Sequence, residues 1–437
     1  IWGKGVCISM KTIIMAGGKG TRIQSIAQDI PKPMIKINNK PVLEWEIACL
    51  KEQGFCDIII TVSHLAHVIM DYFQDGSRFG VHIAYYVEDE PLGNAGAVFK
   101  LWQNGVLEDD FLLLIADAVF HIDLKRFADF HFSCRALATV FTHPNSHPYD
   151  SGLVIADEKS KLVTGWLGRE DKRPQYYKNR VNAGIHILSP EIFRLPGICP
   201  DFAGAGNKAD LDRDIIMPLI SSRCVYAYDS PEYVKDMGTP ERFYQVSADM
   251  ESGRVAAGSL RSRQKAVFFD AALLTDSRSW NACNLAQYEM TEEAAEAVKL
   301  LNNSGYFAIA AENQKEDAVN EPDSIRNKIE TLLGRNGAWL DAFCEGPHAF
   351  EKITRDYHLQ MDECWIIDSG KQNIQSELVK SCKTVSACVE IHAEGIEVLK
   401  KENDSSTVIS GGAGAVFLET VKYILQQSEH NEAADKA

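Results

Sequence analysis

The chain has 437 residues, of which 45% are hydrophobic and 24% are charged, and its formal net charge at pH 7 is -16. This composition is typical of a globular protein with roughly two or three domains. The acidic balance excludes a broad electrostatic attraction to nucleic acid or to an anionic membrane, so an anionic substrate needs a local basic site.

Eleven cysteines are scattered along the chain, with no Cys-x-x-Cys pair and no His/Cys cluster at zinc spacing. This pattern predicts reduced thiols in the cytoplasm rather than a disulfide scaffold or a zinc site. Residues 1–9 carry no apolar run of signal-peptide length, and nothing later approaches the ~20 apolar residues of a membrane span. We interpret Met10 as the natural start of the first domain.

From Lys11 onward, short β-branched runs alternate with longer amphipathic stretches. The predicted elements are residues 12–15, 42–53, 58–62, 68–73 and 82–87. This rhythm predicts an α/β domain with a largely parallel sheet. The next predicted strand, residues 111–115, is a continuous apolar run, as expected for a strand covered on both faces, and it leads to Asp117.

A predicted helix over residues 241–250 is entered through Pro240, and a polar stretch over residues 251–264 follows it. A second α/β rhythm then begins, with predicted strands at 266–270, 307–311 and 364–368 and helices at 292–302 and 417–427. We therefore predict a first domain over residues 10–250, a linker over 251–264 and a second domain over 265–430.

The sharpest motif directly follows the first strand and reads Met15-Ala16-Gly17-Gly18-Lys19-Gly20-Thr21-Arg22. Its three glycines can expose backbone N–H groups to phosphate oxygens, and its lysine and arginine add positive charge. The spacing fits neither a Walker A loop nor the dinucleotide fingerprint. Taken alone, such a loop is more often explained by turn chemistry than by phosphate binding.

Three more residues favour a phosphate site. Lys32 lies between Pro31 and Pro33, which stiffen the chain around it. Asp117 follows a buried strand, and Asp236 follows a later short strand. Because strand ends meet at a common crevice, a magnesium ion held by both aspartates could bridge phosphates. The alternatives are a solvated lysine and two capping aspartates.

In this order, five motifs resemble those of the sugar-phosphate nucleotidyltransferases, over about residues 10–250. They are the glycine loop, Pro31-Lys32-Pro33-Met34, Pro91-Leu92-Gly93-Asn94-Ala95-Gly96, Asp117 and residues 236–240. Within the family the chain is similar to the D-glycero-α-D-manno-heptose 1-phosphate guanylyltransferases through residues 142–145, 147–152 and 177–184. Mannose 1-phosphate enzymes share the general motifs.

The resemblance implies a Rossmann-like mixed-sheet domain that transfers a guanylyl group from GTP to a sugar 1-phosphate, with Mg²⁺ as cofactor. It implies catalytic roles for Arg22, Lys32, Asp117 and Asp236, the two aspartates being the metal ligands. The implied nucleotide-binding residues are Ala16, Gly17, Gly18, Gly20, Thr21, Glu88 and Gly93. The implied sugar-binding residues are Tyr149, Asp150, Gly152, Arg169, Asn182 and Gly184.

Glu88 could accept hydrogen bonds from guanine N1 and N2, although an exposed glutamate at a strand end is the competing interpretation. Two positions depart from the family pattern. Ala116 stands where the family usually has glycine, and Gly168-Arg169 stands where related sequences tend to have His-Lys. Arg169 could still neutralise a sugar phosphate.

The second domain begins with a strand that ends in Asp270 and resembles the haloacid dehalogenase superfamily, specifically phosphatases of heptose bisphosphate or histidinol phosphate. The position of the general acid holds Ala272, and the expected lysine is Gly346. Asp368 survives, but Gln372 replaces the second metal carboxylate. The resemblance therefore implies a second Rossmann-like domain with a vestigial phosphatase site at Asp270 and Asp368, which stabilises, dimerises or regulates its neighbour.

Three functions follow from the sequence: a magnesium-dependent guanylyltransferase, a sugar phosphatase, and a sugar-nucleotide sensor without turnover. We expect GTP and a sugar 1-phosphate as partners, and neither nucleic acid nor a membrane. A homo-oligomer is compatible with the sequence, which does not fix the oligomeric state.

Overall fold

The computed structural model describes residues 8–18, 23, 26, 30–90, 92–198, 208–275, 288–312, 322–368, 382–392, 395–402, 405–410 and 412–435. The chain divides into two compact units. The first comprises Ile1–His143, Gly152–Leu167 and Asn182–Ser259, and the second comprises Pro144–Ser151, Gly168–Val181 and Leu260–Ala437. The second unit therefore includes two short segments that interrupt the first unit in sequence.

The first unit contains thirteen strands within the described ranges. They are Thr12–Met15 (β1), Lys36–Ile37 (β2), Lys40–Pro41 (β3), Asp57–Val62 (β4), His82–Val87 (β5), Phe111–Ile115 (β6), Ala118–His121 (β7), Ala138–His143 (β8), Leu153–Ala156 (β9), Val163–Leu167 (β10), Val181–Leu188 (β11), Val225–Asp229 (β12) and Tyr233–Asp236 (β13). Its α-helices are Val42–Glu52 (α1), Ala66–Phe73 (α2), Gly96–Gln103 (α3), Leu124–Cys134 (α4), Met217–Ile220 (α5), Pro240–Glu251 (α6) and Arg254–Ala257 (α7).

The main sheet of the first unit is mixed. Its order is β10-β9-β11-β6-β1-β4-β5, with β8 pairing both β11 and β12. β1 is parallel to β4 and β6, whereas β11 is antiparallel to β6. The Rossmann-like mixed sheet that we predicted for this half is confirmed. β13 and β7 form a separate antiparallel pair.

Both faces of this sheet are covered. Ile13 and Ile14 are neighbours on β1, both are fully buried, and they belong to two different apolar clusters. This follows from the two-residue period of a strand, which directs successive side chains to opposite faces. The continuous apolar runs of β1 and β6 are therefore explained by helices on both sides.

The stretch predicted as a polar linker, residues 251–264, contains the short helix α7. Two of its apolar side chains, Val255 and Leu260, are 6% and 2% exposed.

None of the helices in the described part of the chain is long and apolar enough to cross a membrane.

The second unit contains a seven-stranded sheet. Its strands are Ala266–Asp270 (β14), Phe307–Glu312 (β15), Ala342–Glu345 (β16), Trp365–Asp368 (β17), Lys383–His392 (β18), Gly395–Glu402 (β19) and Ser405–Ser410 (β20), in the order β16-β15-β14-β17-β18-β19-β20. The pairs from β16 to β18 are parallel, and the last two pairs are antiparallel.

The α-helices of the second unit are Glu292–Ser304 (α8), Pro322–Arg335 (α9), Gly346–Asp356 (α10) and Ala413–Asp435 (α11). Phe269 packs on Phe417 of α11 and Phe268 on Phe350 of α10, with both pairs of ring centroids 4.6 Å apart. Successive residues of β14 thus contact helices on opposite faces of the sheet.

Candidate active site

The predicted phosphate loop begins where β1 ends. The Ala16 amide donates to the Thr61 carbonyl oxygen at 2.9 Å, which fixes the start of the loop. A Cβ at Gly17 would lie 3.2 Å from Glu88 Oε1, whereas one at Gly18 would meet nothing within 4 Å. Three predicted site residues of the loop, Gly20, Thr21 and Arg22, lie outside the described residues.

Lys32 is the first residue of a short 3₁₀ turn, Lys32–Met34. Pro31 precedes the turn, and Pro33 lies within it. Lys32 is only 8% exposed, and its Nζ donates to Asp117 Oδ2 at 2.6 Å. A buried ammonium needs such a partner because removal from water is costly. Burial and the prolines thus direct the charge of Lys32 to the end of β6.

Asp117 lies two residues beyond β6, in a tight turn in which its amide donates to the Ile115 carbonyl oxygen at 2.8 Å. About one-third of its side chain, 34%, is exposed. Ala116, the departure from the family pattern, is 1% exposed, and its amide donates to the Met15 carbonyl oxygen. The turn therefore accommodates a methyl group at this position.

Asp236 is brought next to Asp117 by strand pairing. It ends β13, where it is the register partner of Ala118 on β7. One residue further on, the Met237 amide donates to the Asp117 carbonyl oxygen at 3.0 Å. The prediction that two distant strand ends meet here thus has a direct structural counterpart.

The Asp236 carboxylate is held by two donors. The Gly238 amide donates to Oδ1 at 2.7 Å, and Arg242 Nη1 lies 3.0 Å from Oδ1 and 3.1 Å from Oδ2. A Cβ at Gly238 would lie 2.6 Å from Asp236 Oδ1, so only glycine fits without a shift. Arg242 was missed in the sequence, where it is one of several charges in the first turns of α6.

A cavity of about 590 Å³, counting its space open to solvent, lies at the ends of β1 and β6. Its polar lining includes Lys32 and Asp117, and its backbone lining includes Gly18 and Gly238.

Among the described residues, no group of three or more His, Cys, Asp and Glu could hold a metal ion. Two carboxylates with substrate phosphate oxygens are nevertheless a common donor set for Mg²⁺. Asp117 and Asp236 fit that set, since their strand ends are adjacent and both side chains are partly exposed.

Glu46 of α1 is a second acidic group behind Asp117, and the sequence analysis missed it because it lies within an apolar helical face. It is 1% exposed. Burial, followed by the negative charge of Asp117, raises the pKa of Glu46 well above its ordinary value. The Ala118 amide and the charge of Lys32 oppose this rise. The Glu46 carboxyl is therefore prone to retain its proton.

Glu88 and Gly93 were predicted to recognise the base. Glu88 follows β5, and its Oε2 accepts the Leu92 amide at 3.0 Å. Burial raises the pKa of the Glu88 carboxyl, and the Leu92 amide opposes the rise. Gly93 has φ 82°, and a Cβ there would overlap the carbonyl oxygen of Ala209. Backbone packing thus explains why this position requires glycine.

Three of the predicted sugar-binding residues contact one another in the first unit. The Asn182 amide donates to the Gly152 carbonyl oxygen at 2.9 Å, and the Gly184 amide donates to Asn182 Oδ1 at 2.9 Å. Asn182 Nδ2 donates to Asp212 Oδ1 at 3.1 Å. Asp212, missed in the sequence, lies in a π-helical turn, Leu211–Ile216, a rare element that is frequent at functional sites.

The other three predicted sugar-binding residues, Tyr149, Asp150 and Arg169, belong to segments of the second unit. Tyr149 is 57% exposed, and Arg169 is exposed as well. Asp150 Oδ1 lies 4.0 Å from His147 Nε2. The neighbouring Arg173, which the sequence analysis also missed, donates to the carbonyl oxygens of Pro148 and Ser151.

The predicted vestigial phosphatase residues end two adjacent parallel strands of the second unit, Asp270 on β14 and Asp368 on β17. Asp270 is 2% exposed, and its Oδ1 accepts the Ala272 amide at 2.9 Å. The side chain of Asp368 lies outside the described part of the structure.

Comparison with known proteins gives a family. The sequence profile described as nucleotidyl transferase matches residues 11–253. A UTP–glucose-1-phosphate uridylyltransferase of Synechocystis sp. is 34% identical over 254 residues, 55% of this chain and 59% of that protein. A mannose-1-phosphate guanyltransferase of Kluyveromyces lactis is 29% identical over 238 residues, 54% of this chain and 63% of that protein.

The chain thus spans less than two thirds of the length of these curated relatives. Among solved structures, HddC from Yersinia pseudotuberculosis aligns with 55% of this chain and 99% of its own, at 24% identity and a TM-score of 0.46.

Proposed function

Since the chain belongs to the nucleotidyl transferase family, we propose that it transfers a guanylyl group from GTP to D-glycero-α-D-manno-heptose 1-phosphate, giving GDP-heptose and pyrophosphate. The observation that carries the proposed reaction is the 2.6 Å contact between Lys32 Nζ and Asp117 Oδ2, next to the loop after β1 and to the end of β13. This arrangement places the Lys32 ammonium and the Asp117 carboxylate at one cavity, and the end of the strand that carries Asp236 is adjacent to Asp117.

In the proposed reaction, a phosphate oxygen of the sugar 1-phosphate attacks the α-phosphorus of GTP in line with the departing pyrophosphate. One phosphorus–oxygen bond forms and one breaks, so no covalent enzyme intermediate is required. Lys32 supplies positive charge to the phosphates, and the amides after β1 hold phosphate oxygens. Positioning and charge neutralisation provide the rate enhancement.

Asp117 and Asp236 would hold Mg²⁺, which when bound neutralises phosphate charge. Gly238 and Arg242 maintain the orientation of Asp236 through the three contacts at 2.7–3.1 Å. The role of Arg242 is then to hold the carboxylate in one orientation before substrates arrive.

The choice of guanine is based on Glu88. A carboxylate can accept from both N1 and N2 of guanine, and Glu88 Oε1 faces the position of Gly17 in the loop after β1. The curated relatives carry uridylyltransferase and guanyltransferase names, so they support nucleotidyl transfer more strongly than the base. The heptose is supported by the motifs at residues 142–152 and 177–184.

The second candidate function is transfer of the guanylyl group to mannose 1-phosphate. It is favoured by the guanyltransferases of Kluyveromyces lactis and Candida albicans, each 29% identical over 238 residues. The same assay separates the two candidates because the sugar phosphates are offered in parallel.

For the second unit, we propose a domain derived from the haloacid dehalogenase phosphatases that no longer hydrolyses phosphate esters. The position of the general acid is occupied by Ala272, whose side chain cannot transfer a proton. Asp270 is 2% exposed and accepts the Ala272 amide, which leaves little access for a phosphate ester.

The test is pyrophosphate release by purified protein with Mg²⁺. GTP, ATP, CTP and UTP are each offered with heptose 1-phosphate, mannose 1-phosphate or glucose 1-phosphate, and the Asp236→Ala variant is the control. Release with GTP and heptose 1-phosphate, lost in the variant and without Mg²⁺, supports the proposal. Binding of sugar nucleotide without release from any pair would instead support a sensor.

A further inference from the structure

Two segments of the second unit pack on helix α9. They are Pro144–Ser151 and Gly168–Val181, and both belong to the same compact unit as the helix. The buried polar residues of α9 make the contacts: Glu330 is 2% exposed and Thr331 is fully buried. In sequence these contacts join residues about 150 positions apart.

Glu330 is the centre of this contact. Its Oε2 accepts the Asn179 amide at 2.6 Å and lies 3.3 Å from Arg180 Nη1. Arg180 is 6% exposed, and its Nη2 also donates to the Asp341 carbonyl oxygen at 3.4 Å. Removing one member of a buried charge pair is costly because the other charge is left without its partner.

A second contact lies one residue along the helix. Thr331 Oγ1 accepts the Tyr177 amide at 2.8 Å and lies 3.0 Å from the Tyr177 carbonyl oxygen. Two neighbouring residues of α9 thus hold the segment at residues 177–180 by the amides of Tyr177 and Asn179 and by the side chain of Arg180.

The two segments are also tied to each other. Asn179 Oδ1 accepts the Asn145 amide at 3.1 Å, and Asn179 Nδ2 donates to the Asn145 carbonyl oxygen at 2.7 Å. A Cβ at Gly334 of α9 would lie 2.6 Å from Pro148 Cγ, so the helix approaches the first segment closely. Both segments therefore depend on α9.

We propose that Glu330 is a positioning residue for the sugar 1-phosphate, an inference that depends on the proposed nucleotidyl transfer. The anchored segments continue along the chain directly into Gly152 and Asn182. These two residues are joined by the Asn182 amide hydrogen bond at 2.9 Å. By holding Asn179 and Arg180, Glu330 sets where β11 begins at Val181 and thereby where the next residue, Asn182, lies.

The first experiment compares steady-state kinetics of the full-length wild type with Glu330→Ala, Glu330→Gln and a control, Glu296→Gln, which alters an exposed glutamate of α8. We expect Glu330→Ala to raise the KM for the sugar 1-phosphate about tenfold. The KM for the nucleotide should stay within about twofold, because Lys32 belongs to the first unit and donates to Asp117, not to a residue of these segments.

Glu330→Gln retains an oxygen that can accept the Asn179 amide but lacks the charge that faces Arg180. We expect it to have a smaller effect on the same KM, and Glu296→Gln to have none. Equal changes in both KM values, or no change in either, would overturn the proposal. Thr331→Val removes the contacts of the hydroxyl with Tyr177 and, within the helix, with the Asn327 carbonyl oxygen, and it provides the same readout if Glu330→Ala fails to fold.

Hydrogen–deuterium exchange tests the positioning independently of turnover. In Glu330→Ala and Glu330→Gln we expect faster exchange at the amides of Tyr177, Asn179 and Asn182. Faster exchange at Tyr177 and Asn179 with no change at Asn182 overturns the proposal. If the wild type turns over no substrate pair, the proposed function fails, and the exchange at Asn182 still decides whether Glu330 positions it.

Discussion

Each unit of the molecule has an aspartate at the end of a buried strand, but the surroundings of the two aspartates differ. Asp117, after β6, is one-third exposed, receives the Lys32 ammonium at 2.6 Å and borders a cavity. Asp270, at the end of β14, is 2% exposed and accepts the Ala272 amide. The next four residues of the second unit, Ala271–Leu274, are all buried and apolar.

The comparison separates topology from chemistry. An α/β sheet brings a strand-end aspartate to the edge where ligands commonly bind. Catalysis further requires access, and the two aspartates differ in their exposure to solvent.

The largest effect is expected for Asp117→Asn. Asn keeps the shape of the side chain but loses the charge that faces Lys32 and would bind Mg²⁺, so we expect pyrophosphate release to fall about 10³-fold. The measurement is kcat with saturating GTP and sugar 1-phosphate, with thermal unfolding as the check on folding. A variant that keeps more than a tenth of wild-type activity would contradict the catalytic role proposed for Asp117, and the contrast with Asp270 would then fail.

A smaller loss is expected for Gly238→Ala. The new methyl group would lie 2.6 Å from Asp236 Oδ1 and must displace that carboxylate. Since a misplacement of about 1 Å can reduce a rate about 10²-fold, we expect a loss of about 10- to 100-fold in kcat. Gly412→Ala is the matched control, because a Cβ there would meet nothing within 4 Å. Equal activity of the two variants would contradict the role assigned to the turn.

Glu46→Gln tests the buried acid behind Asp117 through stability. The pKa of Glu46 is raised above 4.5 in the folded state, so its stabilising contribution is complete below about pH 4.5 and is lost as the pH rises through the folded-state pKa. Glu46→Gln should therefore gain stability relative to the wild type over that window, by about 1.4 kcal/mol per pH unit.

Urea unfolding of both proteins between pH 4.5 and 8 measures this difference. Glu293→Gln, at an exposed position of α8, is the control and should show no such trend. A difference that is independent of pH would mean that Glu46 is ionised in the folded protein.

The smallest effect is expected for Asp270→Asn. The amide oxygen of Asn can still accept from Ala272, and Asp270 belongs to the second unit, so we expect pyrophosphate release to change less than about twofold. Wild type and variant should hydrolyse sugar phosphates at the same background rate. Phosphate release that is lost in the variant would show that the second unit is a phosphatase.

The buried strands of the first unit were predictable from the sequence. β1, β5 and β6 have the predicted bounds because continuous apolar or β-branched runs determine them locally. The proximity of Asp117 and Asp236 was also predicted, from strand-end topology. Their roles, like those of Lys32 and the other proposed site residues, stay predictions.

Helix α9 shows what could not be predicted. It buries Arg326, Lys328, Glu330 and Thr331, residue types that normally indicate a solvated face. Their burial depends in part on partners that are distant in sequence, including Glu330 with Arg180 and Lys328 with the ring of Tyr176. Asp212 escaped prediction for the same reason, because its partner Asn182 lies 30 residues away. Arg242 contacts Asp236 only six residues away, but it is one of several charges in the first turns of α6, and the local pattern does not single it out.

The contact between Arg180 and Glu330 closes a loop of 150 residues and so constrains the order of folding during synthesis. The amides of Tyr177 and Asn179 have no partner in α9 until that helix has been translated, although the sheet core can assemble much earlier. The entropic cost of closing a loop grows only with the logarithm of its length. The contact therefore forms late in synthesis, but the length of the loop adds little to its free-energy cost. We therefore expect the segments that lead into Gly152 and Asn182 to be among the last to become ordered in the nascent chain.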